Sequence, residues 1–383
     1  MWAVICLSGM ICLSACAPDR QNELGLEGET SHKSYKPIEK NVKLLGRTHY
    51  VEDSLWLVMS GSGVEFIFTG TNATITLQAD SSYQAGIENQ ARVAILVNGK
   101  CVVDDMINNE EKTYQIFEGE MPTECIVRVI KLSEAQRSSV GIRQIDVDIA
   151  GEIKPTEQKE HLIEFIGDSI TCGYGIDDEV RDHGFSTKTE NVMKTYAYKT
   201  AEALNADYSM VCYSGYGIIS GYTSNGQKEE SCLVPSYYTK LGYTCTTYLG
   251  QKAIDIDWDF SKREPDLVVI NLGTNDETYT GTDEEKRKEY VAGYVSFLKV
   301  IRQLNPNATI LCTLGIVGDG LYPSMQSAVH QYVNETGDAK IDTLKFNERV
   351  PEEGYGADSH PTEKTNAKAA EQLITTIQEL MGW

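Results

Sequence analysis

A serine follows the first strongly apolar segment in the second half of the chain. This segment ends in Gly167-Asp168-Ser169-Ile170-Thr171, which places the hydroxyl of Ser169 at the end of a predicted strand, where a ligand can reach it. A serine at such a position can act as a nucleophile, although it is also a common N-cap of a helix. The segment is not the Gly-x-Ser-x-Gly elbow of the α/β-hydrolases, because Thr171 stands in place of the second glycine.

Two further predicted strands end in hydrogen-bond donors. Ser214-Gly215-Tyr216-Gly217 follows one strand, and Gly273-Thr274-Asn275-Asp276 follows the other. A glycine N–H and an asparagine amide can stabilise the negative oxygen of a tetrahedral intermediate, an effect of about 3 kcal/mol per donor in measured cases. Taken singly, Gly215 fits a tight turn and Asn275 fits a loop cap. Because both strands feed the same edge of a sheet, we predict that the two donors act together.

A histidine near the C-terminus can supply a general base. His360 lies in Asp358-Ser359-His360-Pro361, and the proline restricts the backbone of His360 to extended conformations. Side chains two residues apart on an extended segment point the same way, so the carboxylate of Asp358 could orient the imidazole ring. No comparable setting surrounds the other five histidines, His32, His49, His161, His183 and His330.

These segments belong to a half of the chain in which apolar strands alternate with helical segments. We predict strands at residues 161–166, 208–213, 266–272, 309–316 and 340–346, and helices at residues 193–204, 284–304 and 363–381. Runs that are apolar on both faces, such as residues 267–272, are typical of a parallel sheet covered by helices. The sequence therefore predicts an α/β catalytic domain over residues 158–383, with its chemistry at the carboxyl ends of the strands.

The first half of the chain has a different pattern. Residues 41–152 contain short segments rich in β-branched and aromatic residues, and turn residues such as Asn98-Gly99 separate them. The predicted strands include residues 63–69, 73–77, 91–97 and 125–130. This spacing predicts an antiparallel β-sandwich. Residues 17–40 are polar and charged, and we predict that they form a flexible tether.

The first sixteen residues predict export. Residues 2–13 are apolar but too short to span a bilayer as a mature helix. Leu13-Ser14-Ala15-Cys16 resembles the bacterial lipoprotein processing site, at which Cys16 would become an acylated N-terminus that anchors the protein in a membrane. An ordinary secretory signal is the alternative, because the start of the chain lacks Lys and Arg. We predict an exported, membrane-anchored lipoprotein, periplasmic or on the cell surface.

Composition excludes some partners. The chain has 34 basic and 56 acidic residues among 383, and its formal net charge of −22 repels nucleic acids and anionic membrane surfaces. We therefore expect no nucleic-acid partner, and contact with a membrane only through the lipid anchor. The cysteines show no CxxC pair and no histidine at metal-ligand spacing, so we predict no metal site. Cys232 and Cys245 flank a tyrosine-rich loop and are candidates for a disulfide.

Taken in order, the blocks GDSIT, SGYG, GTND and DSHP resemble the SGNH, or GDSL, hydrolases over residues 161 to about 380. The resemblance implies a three-layer α/β/α domain and a serine esterase that needs no metal or organic cofactor. It implies that Ser169 is the nucleophile and one oxyanion donor, that Gly215 and Asn275 are the other donors, and that His360 is the general base and acid.

The last block departs from the family pattern. Many members place an aspartate three residues before the histidine, whereas this sequence has Ala357 there. The resemblance therefore leaves two partners for the ring of His360, either the carboxylate of Asp358 or a backbone carbonyl.

The first half narrows the resemblance. A β-sandwich with Gly46-Arg47-Thr48, residues 59–63 and Phe68-Thr69-Gly70-Thr71, joined to an SGNH domain, looks like family two of the carbohydrate esterases. That likeness extends over residues 41–383 and implies a jelly-roll domain before the catalytic one. It further implies an acetylxylan esterase-like activity that removes acetyl groups from acetylated plant polysaccharides or oligosaccharides, such as those of xylan and glucomannan.

Three other functions fit parts of the sequence. A dinucleotide site at Gly215-Tyr216-Gly217 fails, because Ser220 occupies the position of the third glycine. A surface lipoprotein that binds glycans with an inactive hydrolase domain is disfavoured by the intact catalytic blocks. A lipase or thioesterase would share the mechanism but would need a long apolar lining, whereas the insertion at residues 222–248 is polar and rich in tyrosine. Those rings either stack on sugars or pack the loop, and the sequence leaves both roles open.

Overall fold

The structure is a computed structural model that describes residues 32–149 and 152–383. The predicted export signal, including Cys16, and most of the predicted tether lie outside these residues. Within the described part of the chain, every helix is too short or too polar to cross a membrane.

The first domain consists of antiparallel strands that form one hydrogen-bonded network. Its ten strands are β1 His32–Tyr35, β2 Lys43–Leu45, β3 Thr48–Val51, β4 Ser54–Leu57, β5 Gly63–Ala79, β6 Arg92–Val97, β7 Lys100–Met106, β8 Glu111–Lys131, β9 Val140–Ile149 and β10 Lys154–Pro155. The order is β3-β4-β9-β5-β8-β6-β7, with β1 on β9 and with β2 and β10 on β5. Asn98 and Gly99 both have positive φ and form the predicted tight turn between β6 and β7.

The long strands β5 and β8 pair along their lengths and organise this domain. Register shifts between Gly70 and Asn72 and between Ala73 and Thr74 mark bulges that bend the pair. Strands β2, β10 and β6 join one side of the bend, and β9 joins the other. The predicted antiparallel domain is therefore confirmed as a curled sheet, which encloses a core that includes Val64, Phe66, Ile75, Leu77, Val127, Val129, Ile142 and Ile145.

Two details of the predicted first domain need correction. Residues 63–69 and 73–77 are parts of one strand, because Gly70 lies at a bulge and not at a chain reversal. The domain is also longer at both ends than residues 41–152. Strand β1, inside the predicted tether, pairs with β9, and β10 pairs with β5, since backbone pairing needs no apolar side chains.

The second domain has the predicted parallel sheet. Its strands are β11 Leu162–Gly167, β12 Asp207–Cys212, β13 Leu267–Asn271, β14 Thr309–Leu314 and β15 Ile341–Lys345. They run parallel in the order β12-β11-β13-β14-β15. Each predicted strand is confirmed to within two residues at either end.

Helices cover both faces of the parallel sheet. They are α1 Ser169–Cys172, α2 Tyr196–Ala203, α3 Val234–Tyr237, α4 Thr274–Thr280, α5 Glu284–Leu304, α6 Tyr322–Thr336 and α7 Glu363–Met381, and short 3₁₀ turns connect several of them. Helices α5 and α6 pack on one face and α2 and α7 on the other, as alternate residues of β13 show: Val268 and Ile270 join one core, Leu267 and Val269 the other. The predicted bounds of α5 and α7 are confirmed, α2 starts three residues later than predicted, and α6 was not predicted.

The two domains share a buried interface. The guanidinium of Arg47, from the first domain, donates to the carbonyls of Tyr238 and Lys240 at 2.5 and 2.6 Å. The ring of Trp56 stacks on that of Tyr248 with centroids 4.6 Å apart. Because these residues are fully or largely buried, the first domain packs against the catalytic domain as a fixed neighbour.

Candidate active site

The strand order brings three of the four sequence blocks together. Strand β11 leads to Ser169, and its two neighbours in the sheet, β12 and β13, lead to Gly215 and Asn275. The order reverses on either side of β11, and such a switch point opens a crevice at the carboxyl ends of the strands. The sheet thus carries the serine at its centre with one predicted donor on each side.

The local structure leaves the hydroxyl of Ser169 available for chemistry. Helix α1 begins at Ser169, and its N-cap is Asp168, whose carboxylate accepts the N–H of Ile170 at 3.0 Å. The serine is therefore not the cap, which was the alternative role that its position allowed. The pKa of Asp168 is raised to about 7, chiefly by burial and in part by the nearby charge of Asp276, while the hydrogen bond from Ile170 opposes the rise.

The fourth block reaches the same point from the far end of the chain. The Oγ atom of Ser169 lies 2.8 Å from Nε2 of His360, within hydrogen-bonding distance. The pKa of His360 is lowered to about 4, chiefly by burial and in part by the charge of Arg349, against the opposing effect of the contacts with Ala357 and Asp358. The imidazole is therefore neutral at pH 7 and can accept a proton from the serine.

A backbone carbonyl, and not a carboxylate, holds the other ring nitrogen. Nδ1 of His360 lies 3.1 Å from the carbonyl oxygen of Ala357. A carbonyl can only accept, so the ring proton sits on Nδ1 and Nε2 is left free to accept from Ser169. Tyr174 stacks on the imidazole with centroids 3.8 Å apart and planes inclined by 17°, which fixes the plane of the ring.

The predicted role of Asp358 as the orienting carboxylate is corrected by this geometry. Its carboxylate accepts the hydroxyl of Tyr174 at 3.3 Å instead of the imidazole N–H. The prediction assumed an extended segment, but Asp358 and Ser359 have φ of 49° and 60°. Two consecutive left-handed residues turn the chain, so the side chain two positions before His360 does not share its direction.

The side chain of Asn275 links the second and third blocks to the first. Its Nδ2 donates to the carbonyl of Tyr216 at 2.8 Å and lies 3.4 Å from a carboxylate oxygen of Asp168. The amide thus has the structural contact expected of a loop cap, and it is also held next to the residue that precedes Ser169.

Gly215 presents its backbone to open space. Its φ is +82°, and a Cβ added there would meet no atom within 4 Å. Its carbonyl accepts the N–H of Tyr222 at 2.8 Å, whereas its own N–H donates to no group among the residues that the structure describes. A backbone N–H without a partner among those residues, on a residue beside open space, fits the predicted oxyanion donor.

Sequence reasoning assigned no role to Asp276, which shapes this loop. Its buried carboxylate accepts the backbone N–H groups of Ile218, Ile219 and Ser220 at 2.7 to 3.1 Å. Burial raises the pKa of Asp276 to about 6, although the three donors oppose that shift. The sequence signal that could have indicated this role is the position of Asp276 directly after Asn275 in the third block. Tyr174, by contrast, offered none, because its stacking depends on a contact with the far end of the chain.

The tyrosine-rich insertion mostly packs the protein. Tyr238 and Tyr248 are fully buried, and Tyr237 and Tyr243 pack against each other with centroids 4.9 Å apart. Tyr222 differs, because its side chain is 60% exposed while its N–H is bonded to Gly215. The candidate disulfide in this segment is absent, since Cys232 and Cys245 are both free thiols.

Comparison with known proteins identifies the family. The model of the GDSL-like lipase/acylhydrolase family matches residues 165–368, which contain all four blocks. The chain belongs to this family. It is a carboxylic ester hydrolase, as the blocks predicted, and the N-terminal model of carbohydrate esterase 2 matches residues 44–156.

Individual relatives resemble both domains. An acetylxylan esterase / glucomannan deacetylase of Cellvibrio japonicus is 26% identical over 385 residues, which cover 100% of this chain and 99% of the relative. The cellulase/esterase CelE of Acetivibrio thermocellus is 32% identical over 85% of this chain, but the match spans only 37% of CelE. The solved acetyl xylan esterase Est2A of Butyrivibrio proteoclasticus superimposes with a TM-score of 0.82, at 26% identity, over 92% of this chain and 99% of Est2A.

The contact between His360 and Ala357 predicts a small effect for Asp358→Asn. Asparagine tolerates the left-handed conformation and can still accept from Tyr174, so only the charge is lost. We expect kcat for p-nitrophenyl acetate at pH 7 to stay within about threefold of wild type, since loss of an aspartate that orients the histidine costs about 10⁴ elsewhere. A thousandfold loss of kcat in Asp358→Asn would show that the carboxylate of Asp358 does orient His360.

Gly175 supports the segment that carries His360. A Cβ at Gly175 would lie 2.7 Å from Cβ and 3.0 Å from the carbonyl oxygen of Ala357, and φ there is +61°. We expect Gly175→Ala to displace His360 and to lower kcat for p-nitrophenyl acetate about 100-fold. Gly184→Ala is the matched control, because a Cβ at Gly184 meets nothing within 4 Å. Equal activities of the two variants would contradict this account.

The low pKa of His360 can be observed directly. In a ¹⁵N-histidine-labelled protein, we expect the ring nitrogens of His360 to keep the shifts of the neutral form as pH falls from 8 to about 5, and to change only as pH approaches 4. The signal is assigned by its loss in His360→Asn. A titration midpoint near 6.5, the ordinary value for histidine, would show that burial does not depress this pKa.

Proposed function

We propose that this protein is a serine esterase that removes O-acetyl groups from plant polysaccharides such as xylan and glucomannan, or from their oligosaccharides. The observation that carries the chemistry is the 2.8 Å contact between Ser169 Oγ and His360 Nε2. The substrate class is supported by the names of two relatives that align with 100% and 92% of the chain, an acetylxylan esterase / glucomannan deacetylase and an acetyl xylan esterase.

In the first half of the proposed reaction, Nε2 of His360 takes the proton of Ser169 while Oγ attacks the carbonyl carbon of the acetyl ester. The carbonyl oxygen becomes an oxyanion, and the N–H groups of Ser169 and Gly215 and the amide of Asn275 donate to it. When the intermediate collapses, the bond to the sugar oxygen breaks and His360 returns the proton to that oxygen. The products are a free sugar hydroxyl and an acetyl-enzyme.

In the second half, water replaces the sugar. His360 takes a proton from the water, the hydroxide oxygen attacks the acetyl carbon, and the bond to Ser169 Oγ breaks as the proton returns to that oxygen. Acetic acid leaves, loses its proton to the solvent at neutral pH to give acetate, and the enzyme is restored. In these steps His360 is the base, Ser169 is the nucleophile, and the donors are those named above. Apart from the substrate and water, the proposed steps use no other group.

Tyr222 is the side chain that we assign to the sugar. Tyr222 is exposed, and its backbone N–H donates to the carbonyl of Gly215, which places this residue next to a predicted oxyanion donor. Flat aromatic rings pack well on the apolar faces of sugars. An ester with a small acyl group and a carbohydrate alcohol would use this ring, whereas a long acyl chain would not.

The location of the protein is likewise a proposal. We propose that the chain is exported and that Cys16 carries the lipid anchor, on the strength of the Leu13-Ser14-Ala15-Cys16 motif. Substrate polysaccharides are too large to enter a cell, and an anchored enzyme would meet them outside the cytoplasm.

Release of acetate tests the proposed activity. We expect acetate from acetylated xylan and glucomannan, and turnover of p-nitrophenyl acetate that exceeds that of the octanoate ester. Ser169→Ala should lower kcat on all of these substrates by at least about a thousandfold. Near wild-type activity of Ser169→Ala would reject the chemistry, whereas a preference for the octanoate would keep the chemistry and reject the carbohydrate substrate.

Tyr222→Ala separates sugar binding from chemistry in the same assays. We expect KM for acetylated xylan oligosaccharides to rise about tenfold, which corresponds to the loss of roughly 1.4 kcal/mol of stacking. The kinetics with p-nitrophenyl acetate should stay unchanged. The matched control is Tyr50→Ala, because Tyr50 is another exposed tyrosine but lies on β3 of the first domain. Equal effects of both variants on the oligosaccharide would remove Tyr222 from the proposed site.

A further inference from the structure

A loop of the first domain reaches the catalytic domain beneath the donor Gly215. The loop consists of residues 132–139, between the end of β8 at Lys131 and the start of β9 at Val140. Glu134 in this loop is fully buried, and its carboxylate accepts the backbone N–H of Ser214 at 2.8 Å. Ser214 directly precedes Gly215, so a carboxylate from one domain binds the chain next to a predicted oxyanion donor of the other.

Glu134 is itself held at both ends of its backbone. Its N–H donates to the carboxylate of Glu190 at 2.9 Å, and its carbonyl accepts the ammonium of Lys131 at 2.8 Å. The same ammonium donates to the carbonyl of Ser133 at 2.7 Å. The side chains of Lys131, Glu134 and Glu190 are all fully buried. These contacts fix the backbone of Glu134 relative to both domains, and its carboxylate also lies 3.8 Å from Nε of Arg137.

A buried carboxylate is costly to retain for stability alone. Transferring a pair of opposite charges from water to a protein interior typically costs more free energy than their attraction returns. Proteins in which apolar side chains replace such a pair are often equally stable. Burial lowers the pKa of Lys131 to about 8 and raises the pKa of Glu190, which shows how strongly this environment opposes charge. The contact with Ser214 offers a function that an apolar side chain could not perform.

That function is control over the direction of one N–H. The loop at Gly215 is fixed after the glycine by Tyr222, whose N–H donates to the Gly215 carbonyl, and by Asn275, which donates to the carbonyl of Tyr216. Before the glycine, the hydrogen bond from Ser214 N–H to Glu134 fixes the preceding peptide. Since Gly215 is free to adopt many conformations, constraints on both sides are needed to hold its N–H towards the crevice.

We propose that Glu134 is a positioning residue for the oxyanion loop, through which the first domain takes part in catalysis. This inference rests on the proposed function, because it requires that the N–H of Gly215 stabilises the oxyanion. Glu134 contacts Ser214 and does not touch the reacting atoms. Its loss should therefore reduce stabilisation of the transition state while leaving binding of the substrate intact.

The test compares Glu134→Leu and Glu134→Gln in the full chain. We expect Glu134→Leu to lower kcat for p-nitrophenyl acetate by about 30- to 100-fold with KM within threefold, in line with the loss of an oxyanion contact. Glutamine keeps an acceptor oxygen of the same reach, so Glu134→Gln should recover kcat to within about tenfold of wild type. The rate of inactivation by a p-nitrophenyl phosphonate, whose adduct on Ser169 also places an oxygen at the donors, should follow kcat.

Glu65→Leu is the matched control. Glu65 is a buried carboxylate of the same domain that pairs with Arg128 and Lys43 and accepts the hydroxyl of Thr156. None of these partners lies in the loop of residues 132–139. It should lower the melting temperature comparably and leave kcat unchanged. Unchanged kcat in Glu134→Leu, or equal loss of kcat in Glu134→Leu and Glu65→Leu, would overturn the inference.

Two further variants keep the outcome decisive. If Glu134→Leu does not fold, Glu134→Asp retains the charge but withdraws the acceptor by one methylene, and kcat should fall about tenfold or more with KM unchanged. Ser169→Ala distinguishes the two proposals. Full activity of Ser169→Ala would defeat the proposed function, whereas an inactive Ser169→Ala beside a fully active Glu134→Asp and Glu134→Leu would defeat only the role of Glu134.

Discussion

The hydrogen bond between Ser169 and His360 joins residues that lie 191 positions apart, and much of the second domain serves to keep them in contact. Strand β11 and the cap at Asp168 fix the serine. The histidine lies after the last strand, at the end of the short 3₁₀ turn Ala357–Ser359 and outside any α-helix or strand. Its position depends instead on the close approach of Gly175 to Ala357, on the carbonyl at Nδ1 and on the ring of Tyr174.

A carbonyl at Nδ1 has a different electrostatic effect from a carboxylate. It selects the tautomer and fixes the ring, but it offers only a dipole to the imidazolium that forms during the reaction. The same arrangement explains why the pKa of His360 is low before the reaction starts. Burial opposes the charged ring, and no carboxylate is bonded to it. The charge of Asp358 raises the pKa of His360, although its carboxylate is bonded to the hydroxyl of Tyr174 and not to the imidazole.

The parts of the structure that follow from local patterns were predictable. Helices α5 and α7 have continuous apolar periodicity and side-chain caps at Asp283 and Thr362, and their predicted bounds are those observed. Helix α6 has no side-chain cap and begins in Tyr322-Pro323 after a glycine-rich stretch, so the proline in its first turn was the one signal of its start. The four blocks located the serine, the histidine and both predicted donors because each one ends a strand or precedes a helix.

What was missed depends on contacts between distant parts of the chain. The left-handed turn at Asp358 is held by backbone bonds to His183 and Arg181, which no spacing in the sequence reveals. Glu134 lies in a loop of another domain and carries no motif. The same is true of Tyr174, because a single tyrosine five residues after a serine predicts nothing by itself.

The hydrogen bond from Ser214 to Glu134 also bears on how such enzymes can be recombined. A short segment between β10 and β11 joins the two domains, and their different sequence patterns suggest that they could be exchanged independently. Consider a chimaera that joins this catalytic domain to the first domain of another protein. An unrelated loop would then lie next to Gly215, and the N–H of Ser214 would lose its acceptor. The inherited unit is therefore the pair of domains, and a functional crossover would have to carry residues 131–139 along with the catalytic half.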